Sequence, residues 1–274
     1  MRKIYYIFIL SVFAFWTSCQ KDLDIDYTDI EPVYVIQGHI SDEPAQVLLT
    51  KTRNMNDGNK GKGVNDAEIE LSDDKGKSEN LVFGADGYYH SPSGWTGETG
   101  RTYTLKVKIN GKEYKASSTM TTAVALDSIK FAFLSTAGID MVMLKYFTTY
   151  PKEGDLSFTH FFVTKNGEPY RTHTGKQINP QYIKGEAMVG CTTKQVMEEY
   201  DPEKQDAIIH EGDKIHCELW TIDSPVYDYL HSISTSQSNA TNPLTNFTNG
   251  VTGYFSAHHT RTIDFVFNKK MLPE

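Results

Sequence analysis

Residues 103–109 alternate strictly between apolar and polar side chains, a pattern that restricts the segment to a β-strand with one buried face. The next two residues, Asn110 and Gly111, form the pair that most readily adopts the two positive φ angles of a type I′ turn. Lys112 to Met120 then returns as a second β-type run. The sequence therefore predicts a β-hairpin over residues 103–120.

Short β-type runs interrupted by Gly, Asn and Asp recur along the chain from Val33 onward. About seven of them between residues 32 and 122 predict an N-terminal immunoglobulin-like or carboxypeptidase-regulatory-like β-sandwich. A join near residues 121–126 leads to a second β-rich, sandwich-like domain, residues 123–274, so we expect a mainly β fold with one short helix. The other predicted strands cover residues 33–40, 45–52, 67–72, 141–150, 156–165, 214–222 and 260–267.

Two further local features refine this prediction. The segment Gly100-Arg-Thr-Tyr103 resembles the approach to a tyrosine corner, in which a Tyr hydroxyl ties a loop to the strand that follows. Residues 54–63 are rich in Asn, Gly and Lys, and we expect them to form a long loop between two strands.

One segment of the second domain is predicted to be helical. Ser224 is a good N-cap, and Pro225 suits the first helical position, where no amide hydrogen is needed. A second, weaker helix is predicted over residues 193–200. In the first helix, apolar residues recur at helical spacing until the polar run 234–241: Val226, Tyr229, Leu230 and Ile233.

The N-terminal segment combines two basic residues, Arg2 and Lys3, with an uncharged, mostly apolar run over residues 4–16. The run is shorter than the ~20 residues that cross a bilayer, and the combination is typical of a secretory signal peptide. Cys19 follows two small residues in an arrangement that resembles the lipobox of bacterial lipoproteins. We therefore expect a lipoprotein signal peptide over residues 1–18 and acylation of Cys19. The alternative is an ordinary signal peptide followed by an unmodified cysteine.

Residues 19–31 are predicted to form an acidic tether. Their start resembles the export signal of Bacteroidota lipoproteins, a short polar and acidic stretch that directs an acylated protein to the cell exterior. We therefore expect an outer-membrane protein that is held in the lipid bilayer by Cys19 and faces outward; a solvated tether without an export role is the alternative. The residues that carry the resemblance are Gln20, Lys21, Asp22 and Asp24.

The charge of the expected mature chain disfavours two classes of partner. Removing residues 1–18 takes away Arg2 and Lys3 and no acid, so 25 of the 27 basic side chains remain against 35 acidic ones, a net charge of −10. Nucleic-acid binding depends on a basic surface that neutralises phosphates. The sequence therefore disfavours a nucleic-acid partner, and it equally disfavours adsorption to anionic lipid.

Two cysteines, Cys191 and Cys217, remain beside Cys19. An exported protein meets conditions in which a disulfide is stable, and the loop that they would close is long enough to contribute ~3 kcal/mol. Two buried free thiols are the alternative, and the sequence leaves both open. A zinc site is disfavoured because the cysteines are not paired at metal-ligand spacing.

Several segments occur together in an order that resembles one known family, the Bacteroidota lipoproteins known as domain of unknown function forty-two forty-nine. Members are commonly encoded beside TonB-dependent outer-membrane receptors. The resemblance therefore implies an accessory surface protein of a nutrient or metal-chelate uptake system, with such a receptor as its partner. The segments are Val35–Gly38, Gly100–Leu105, Asp127–Ile129, Glu211–Asp213, Tyr227–Leu230, Asn242–Leu244, Asn249–Gly250 and Gly253–Phe255.

Four aromatic or imidazole side chains are candidate contacts for a ligand or partner. Trp95 lies among Gly-rich loop residues, where an exposed aromatic ring can stack on a sugar, a chelate or a protein. Tyr254, Phe255 and His258 lie near turn-forming glycines, although a strand whose aromatics fill the core is the favoured alternative. Ser128, in Asp127-Ser128-Ile129, resembles the O-glycosylation acceptor of exported Bacteroidota proteins.

No catalytic, metal or cofactor site is predicted. The sequence lacks a Gly-x-Ser-x-Gly elbow and a phosphate-binding loop, and His210 and His216 are not spaced as a helical metalloprotease pair. We therefore expect a binding protein rather than an enzyme: an accessory partner of a TonB-dependent uptake receptor or, alternatively, a structural or adhesive surface protein that binds host or matrix glycans and proteins.

Overall fold

The computed structural model describes residues 32–52, 63–136, 138–151, 156–176, 184–193, 208–239 and 243–273. Strands dominate this part of the chain, which confirms the predicted mainly β fold. They are β1 Tyr34–Ile40, β2 Gln46–Lys51, β3 Glu68–Asp73, β4 Ser78–Asn80, β5 Val82–Phe83, β6 Tyr88–His90, β7 Thr102–Ile109, β8 Lys112–Thr119, β9 Ala125–Thr136, β10 Ile139–Thr149, β11 Phe158–Lys165, β12 Glu168–Lys176, β13 Lys184–Thr193, β14 Lys214–Ile222, β15 Thr252–Ala257 and β16 His259–Val266. The helix α1 covers Ser224–Asn239, and two 3-10 turns cover Thr248–Gly250 and Lys269–Met271.

The first sandwich is built from two sheets with the strand orders β15-β1-β2-β6-β5 and β4-β3-β7-β8. The predicted hairpin forms β7 and β8, with φ of 48° at Asn110 and 74° at Gly111. The backbone N–H of Glu98 donates to the Tyr103 hydroxyl at 2.8 Å, so the resemblance to a tyrosine corner is matched by a real contact. Both features are local in sequence, which explains why the sequence revealed them.

The division after residue 122 needs a correction, because β15 belongs to the first sandwich. It pairs in parallel with β1, with Gly253 opposite Ile36, and its Phe255 lies in the first core. Gly253 has a φ of 116°, and a Cβ on it would lie 1.9 Å from the carbonyl oxygen of Ile36. Only glycine permits this approach of the two backbones.

The second sandwich consists of the sheets β13-β10-β9 and β12-β11-β14-β16 around a separate hydrophobic core. Arg171 of β12 crosses to β13, where its guanidinium donates to the carbonyl oxygens of Gly190 and Cys191 at 2.5 and 2.6 Å. These bonds join two neighbouring edge strands of the sandwich that do not form a ladder.

Cys191 and Cys217 lie in this second core as buried free thiols. The structure thus agrees with the alternative of two buried free thiols, and the alternative of a disulfide is wrong. Burial raises the pKa of the Cys191 thiol to about 11 and that of Cys217 to about 12. Both thiols are therefore protonated and weakly reactive at neutral pH.

The N-cap of helix α1 is Asp223, one residue before Ser224, the predicted N-cap. The Asp223 carboxylate, not the Ser224 hydroxyl, accepts from the Val226 N–H at 3.2 Å, and the Asp223 carbonyl accepts the first helical bond from Tyr227. The helix also continues past Ser234 to Asn239. No helix among the described residues is long and apolar enough to cross a membrane.

Some predicted features fall outside the described residues. They are residues 1–31, with the expected signal peptide, Cys19 and export signal; most of the predicted loop, 54–62; and residues 194–200 of the second predicted helix, whose first residue, Thr193, ends β13.

Candidate functional site

The two sandwiches are joined at His258, the single residue between β15 and β16. The chain passes here from a sheet of the first sandwich into a sheet of the second. The His258 side chain is only 2 % exposed; its ring stacks on Trp220 with 4.2 Å between centroids, and its Nδ1 lies 2.9 Å from the Ser256 hydroxyl. A buried imidazole is therefore fixed between the two halves.

Three further side chains lie next to His258 or Trp220, and with these two residues we name them the junction cluster: His39, His160 and Phe162. The rings of His39 and His258 are 6.0 Å apart, and His160 and Phe162 lie 5.8 and 5.3 Å from Trp220. Burial lowers the pKa of His258 to about 3 and that of His160 to about 4, and it also lowers the pKa of His39. These imidazoles are thus neutral at physiological pH.

Asp42, in the loop after β1, fastens the start of β16. Its carboxylate lies 2.8 Å from His259 Nδ1, and it accepts from the Thr260 N–H at 2.9 Å and from Arg261 at 3.0 Å. The other His259 nitrogen, Nε2, lies 2.8 Å from the Thr99 hydroxyl. Burial raises the pKa of Asp42, but the bonds from Thr260 and His259 and the charge of Arg261 outweigh it, so the pKa falls below its usual value.

The outer face of β14 presents a hydrogen-bonded row of side chains. Trp220 Nε1 donates to Glu218 at 2.5 Å, and Glu218 also lies 3.2 Å from His216 Nε2. The other His216 nitrogen, Nδ1, is 2.7 Å from Asp264. Burial lowers the pKa of His216, but its bonds to Asp264 and Glu218 outweigh that effect and raise it.

The structure does not assemble a metal site from the residues weighed for one. The backbone N–H of His210 donates to Asp213 within the same turn, and Glu211 accepts from the backbone N–H of Lys269. His216 lies against the carboxylates of Glu218 and Asp264. Within the described residues no group of three or more His, Cys, Asp or Glu side chains has metal-binding geometry.

A groove lies between α1 and the strands β11 and β12, with a volume of about 590 Å³. His160 is held by two hydroxyls, those of Thr174 at 2.9 Å and Thr172 at 3.4 Å, and His173 is held by Tyr146 at 2.7 Å. Burial lowers the pKa of His173 too. We name this feature the α1 groove; it is lined by His160, Thr172, His173, Thr174, Leu230, His231 and Ile233.

The lining of the α1 groove determines what it can bind. The neutral imidazoles of His160 and His173 and the threonine hydroxyls both donate and accept hydrogen bonds, and Leu230 and Ile233 add an apolar wall. The volume falls within the range of about 300–1,000 Å³ that is typical of small-molecule pockets. The groove therefore suits a small, uncharged molecule with both polar and apolar surface.

Two of the four predicted contact residues are wrong because they fill the first core. Trp95 is 5 % exposed, packs edge-on against Tyr103 at 5.8 Å and carries the Lys77 ammonium 4.0 Å above its ring. Phe255 is fully buried. Glycine-rich flanks reveal a loop, but they do not reveal whether a large side chain in the loop turns inward.

The remaining predicted sites have mixed outcomes. His258 is buried, so it is no direct contact, although it lies at the centre of the junction cluster. Tyr254 is half-buried and stacks on Tyr229 of α1 at 4.9 Å. Ser128 is half-buried in β9, opposite Phe147. The predicted strand over residues 214–222 implies by its alternation that His216, Glu218 and Trp220 share one face, but nothing local indicated that His39 and His160 would lie near Trp220.

Comparison with known proteins identifies the family. A family model described as a domain of unknown function, DUF4249, matches residues 20–264, which is most of the chain. No curated protein matches this chain. The family that the order of short motifs had suggested is thus confirmed, and this chain belongs to the DUF4249 family.

Proposed function

We propose that this chain is a surface-exposed outer-membrane lipoprotein that binds a small, uncharged ligand in the α1 groove and delivers it to a TonB-dependent uptake receptor. The observation that carries the proposal is the groove itself: about 590 Å³ between α1 and the edge of a sheet, with polar and apolar walls. Ligand pockets of this kind combine apolar walls with a few fixed polar groups.

The hydrogen bonds of the groove favour binding over catalysis. Burial lowers the pKa of His160 to about 4, which makes its imidazole a weak base at neutral pH. Both His160 nitrogens and His173 Nδ1 already lie against hydroxyl groups that fix the two rings. Rings held in this way can orient a ligand, and we propose that the protein is not an enzyme.

The membrane setting rests on the N-terminal sequence. An apolar run followed by Cys19 supports acylation, and the stretch from Gln20 to Asp24 supports export to the outer surface. More than one acyl chain is needed for stable anchoring, which the modified cysteine of a lipoprotein supplies. A β-rich protein anchored by an acylated Cys19 would be held beside a receptor of the same membrane.

The test is a pull-down of the full-length protein from membranes in mild detergent after brief cross-linking, followed by mass spectrometry. We expect a TonB-dependent barrel to be recovered with the wild-type protein and to be lost with Cys19→Ala, which would no longer be anchored. Recovery of no barrel from the anchored protein would refute the receptor partnership.

Ligand binding is tested separately with Leu230→Arg, which places a charge in the apolar wall of the groove. The matched control is Asp228→Asn on the exposed side of the same helix. Neutral oligosaccharides and short neutral peptides added to the wild type should raise its melting temperature, and Leu230→Arg should abolish that rise. If no such compound stabilises the wild type, the ligand class is wrong.

A second candidate, an adhesive surface protein, has one observation in its favour. Val82, Phe83 and Tyr88 are all more than 40 % exposed near the β5 edge of the first sandwich. Val82 pairs with His90, so Val82 and Tyr88 share the outer face of this sheet, and exposed apolar side chains that share a face can mark a contact surface. Loss of binding to cells or matrix in Val82→Ser with an unchanged pull-down result would favour adhesion.

A further inference from the structure

Three methionines lie on the outer face of the sheet β13-β10-β9, away from the α1 groove. Alternate residues of a strand share a face, so Val142 and Leu144 enter the second core while Met141 and Met143 point outward. Met188 of β13 is paired with Lys145, the next outward residue of β10, and therefore lies on the same face. Its side chain is 41 % exposed.

A glycine lets these side chains converge. Gly190 is the β13 partner of Met143, and a Cβ on it would lie 3.5 Å from Met141 Cε and 3.8 Å from the Met143 sulfur. Both thioether groups therefore lie over the same point of the sheet, in the space that a side chain at position 190 would fill. Met188 is two residues from Gly190 on the same face, a diagonal neighbour of Met143 at about 7–8 Å.

The charged side chains beside Met188 pair with each other. Lys145, the cross-strand partner of Met188, forms an ion pair with Glu186 at 2.7 Å, and its ammonium lies 5.2 Å from the centre of the Phe147 ring. On the β9 side the neighbours of Met143 and Met141 are Ala132 and Leu134. Glu186, a carboxylate on the same face, is engaged by Lys145, and the three atoms nearest to a Cβ on Gly190 all belong to Met141 and Met143.

We propose that Met141, Met143 and Met188 form a thioether site for a soft monovalent metal ion, Cu(I) or Ag(I). Thioether sulfur is polarisable and uncharged, and soft sulfur ligands select Cu(I) over hard cations such as Mg²⁺ or Ca²⁺. A neutral ligand set also suits a single positive charge. This site is separate from the α1 groove and does not depend on the function proposed above.

Ag(I) is the probe of choice because it binds like Cu(I) and does not change its oxidation state under aerobic conditions. The full-length protein, labelled with ¹³C at the methionine methyl groups, is titrated with AgNO₃ and followed by NMR; Met→Leu variants assign the signals. Leucine keeps the volume and apolarity of methionine, so these variants should remain folded. Met271→Leu is the matched control, because Met271 is also exposed but lies outside the cluster.

We expect one equivalent of Ag(I) to shift the methyl signals of Met141, Met143 and Met188 and to leave that of Met271 in place. Met143→Leu should weaken binding at least ~10-fold, because losing a direct ligand should cost no less than losing a supporting group. Cu(I) supplied with ascorbate should shift the same three signals. The proposal is overturned if Ag(I) is taken up by the thiols without moving these signals, or if Met271 shifts equally.

Discussion

The Asp42 carboxylate lies 2.8 Å from Nδ1 of His259, although 217 residues separate the two in the sequence. Asp42 follows the first strand of one sandwich, and His259 begins the last strand of the other. Asp42 also accepts hydrogen bonds from the Thr260 N–H and the Arg261 guanidinium, so this loop links the two sandwiches. The contact ties together parts of the chain that no local pattern connects.

Removing the Asp42 side chain should weaken this connection between the two sandwiches. Asp42→Ala leaves the Thr260 N–H and the His259 ring without their acceptor, and we expect the free energy of unfolding to fall by about 1–2 kcal/mol, a modest value because the carboxylate is partly exposed. Urea titration followed by tryptophan fluorescence measures the change. Asp228→Asn, at an exposed position of α1, is the control and should change the midpoint little; equal midpoints for Asp42→Ala and wild type would contradict the fastening role.

Gly253→Ala should prevent the parallel pairing of β15 with β1. The new methyl group would lie 1.9 Å from the Ile36 carbonyl oxygen, which neither backbone can avoid without breaking the ladder. We expect a loss above about 4 kcal/mol or no folded protein at all. Gly76→Ala is the matched control: its φ is also positive, at 90°, but nothing lies within 4 Å of the new methyl, so it should cost only about 1 kcal/mol. Soluble yield and melting temperature distinguish the two variants.

The contrast between the glycines of hairpin turns and Gly253 shows which parts of the fold the sequence could reveal. Turns such as Asn110-Gly111 and Asn166-Gly167 were predictable, because their positive φ angles serve a hairpin whose strands are adjacent in sequence. Gly253 serves a strand more than 200 residues away, and only the tertiary structure identifies its partner. The error at the domain boundary has the same cause.

The candidate site was less predictable than the fold for a related reason. A single strand shows which residues share a face, and the predicted strand over residues 214–222 implies that His216, Glu218 and Trp220 lie together, as their hydrogen bonds show. Which face meets another sheet or a helix depends on packing between distant elements. The junction of Trp220 with His258, and the position of His160 beside α1, therefore became visible only in the folded chain.

The buried histidines of the junction cluster should make the protein less stable in mild acid. Their pKa values in the folded state, about 3 for His258 and about 4 for His160, lie below the ordinary value of 6.5, so below that pH the unfolded chain binds more protons. This contribution is complete above pH 6.5 and is lost as the pH falls toward 4 and 3. It amounts to at most about 2 kcal/mol per histidine between pH 7.5 and 5.

His258→Phe tests this prediction, because phenylalanine keeps the stack on Trp220 but cannot titrate. Urea midpoints measured between pH 7.5 and 5 should fall less steeply for the variant than for the wild type. His216→Gln is the comparison: its pKa is raised in the folded state, so its contribution is present below pH 6.5 and is lost as the pH rises, and its removal should steepen the decline in acid. Parallel curves for His258→Phe and wild type would refute the assignment.

Asp223 should be the most sensitive single residue at the start of α1. One of its carboxylate oxygens accepts from the Val226 N–H at 3.2 Å and the other from the Thr119 N–H at 2.8 Å, so it caps the helix and ties it to β8 of the first sandwich. Asp223→Ala leaves both donors without their acceptor and should cost about 2–3 kcal/mol. Asp223→Asn keeps one acceptor oxygen and should cost less. Ser224→Ala, which alters only the neighbouring exposed hydroxyl, should leave the urea midpoint nearly unchanged; a larger effect there than at Asp223 would mean that Ser224 is the cap after all.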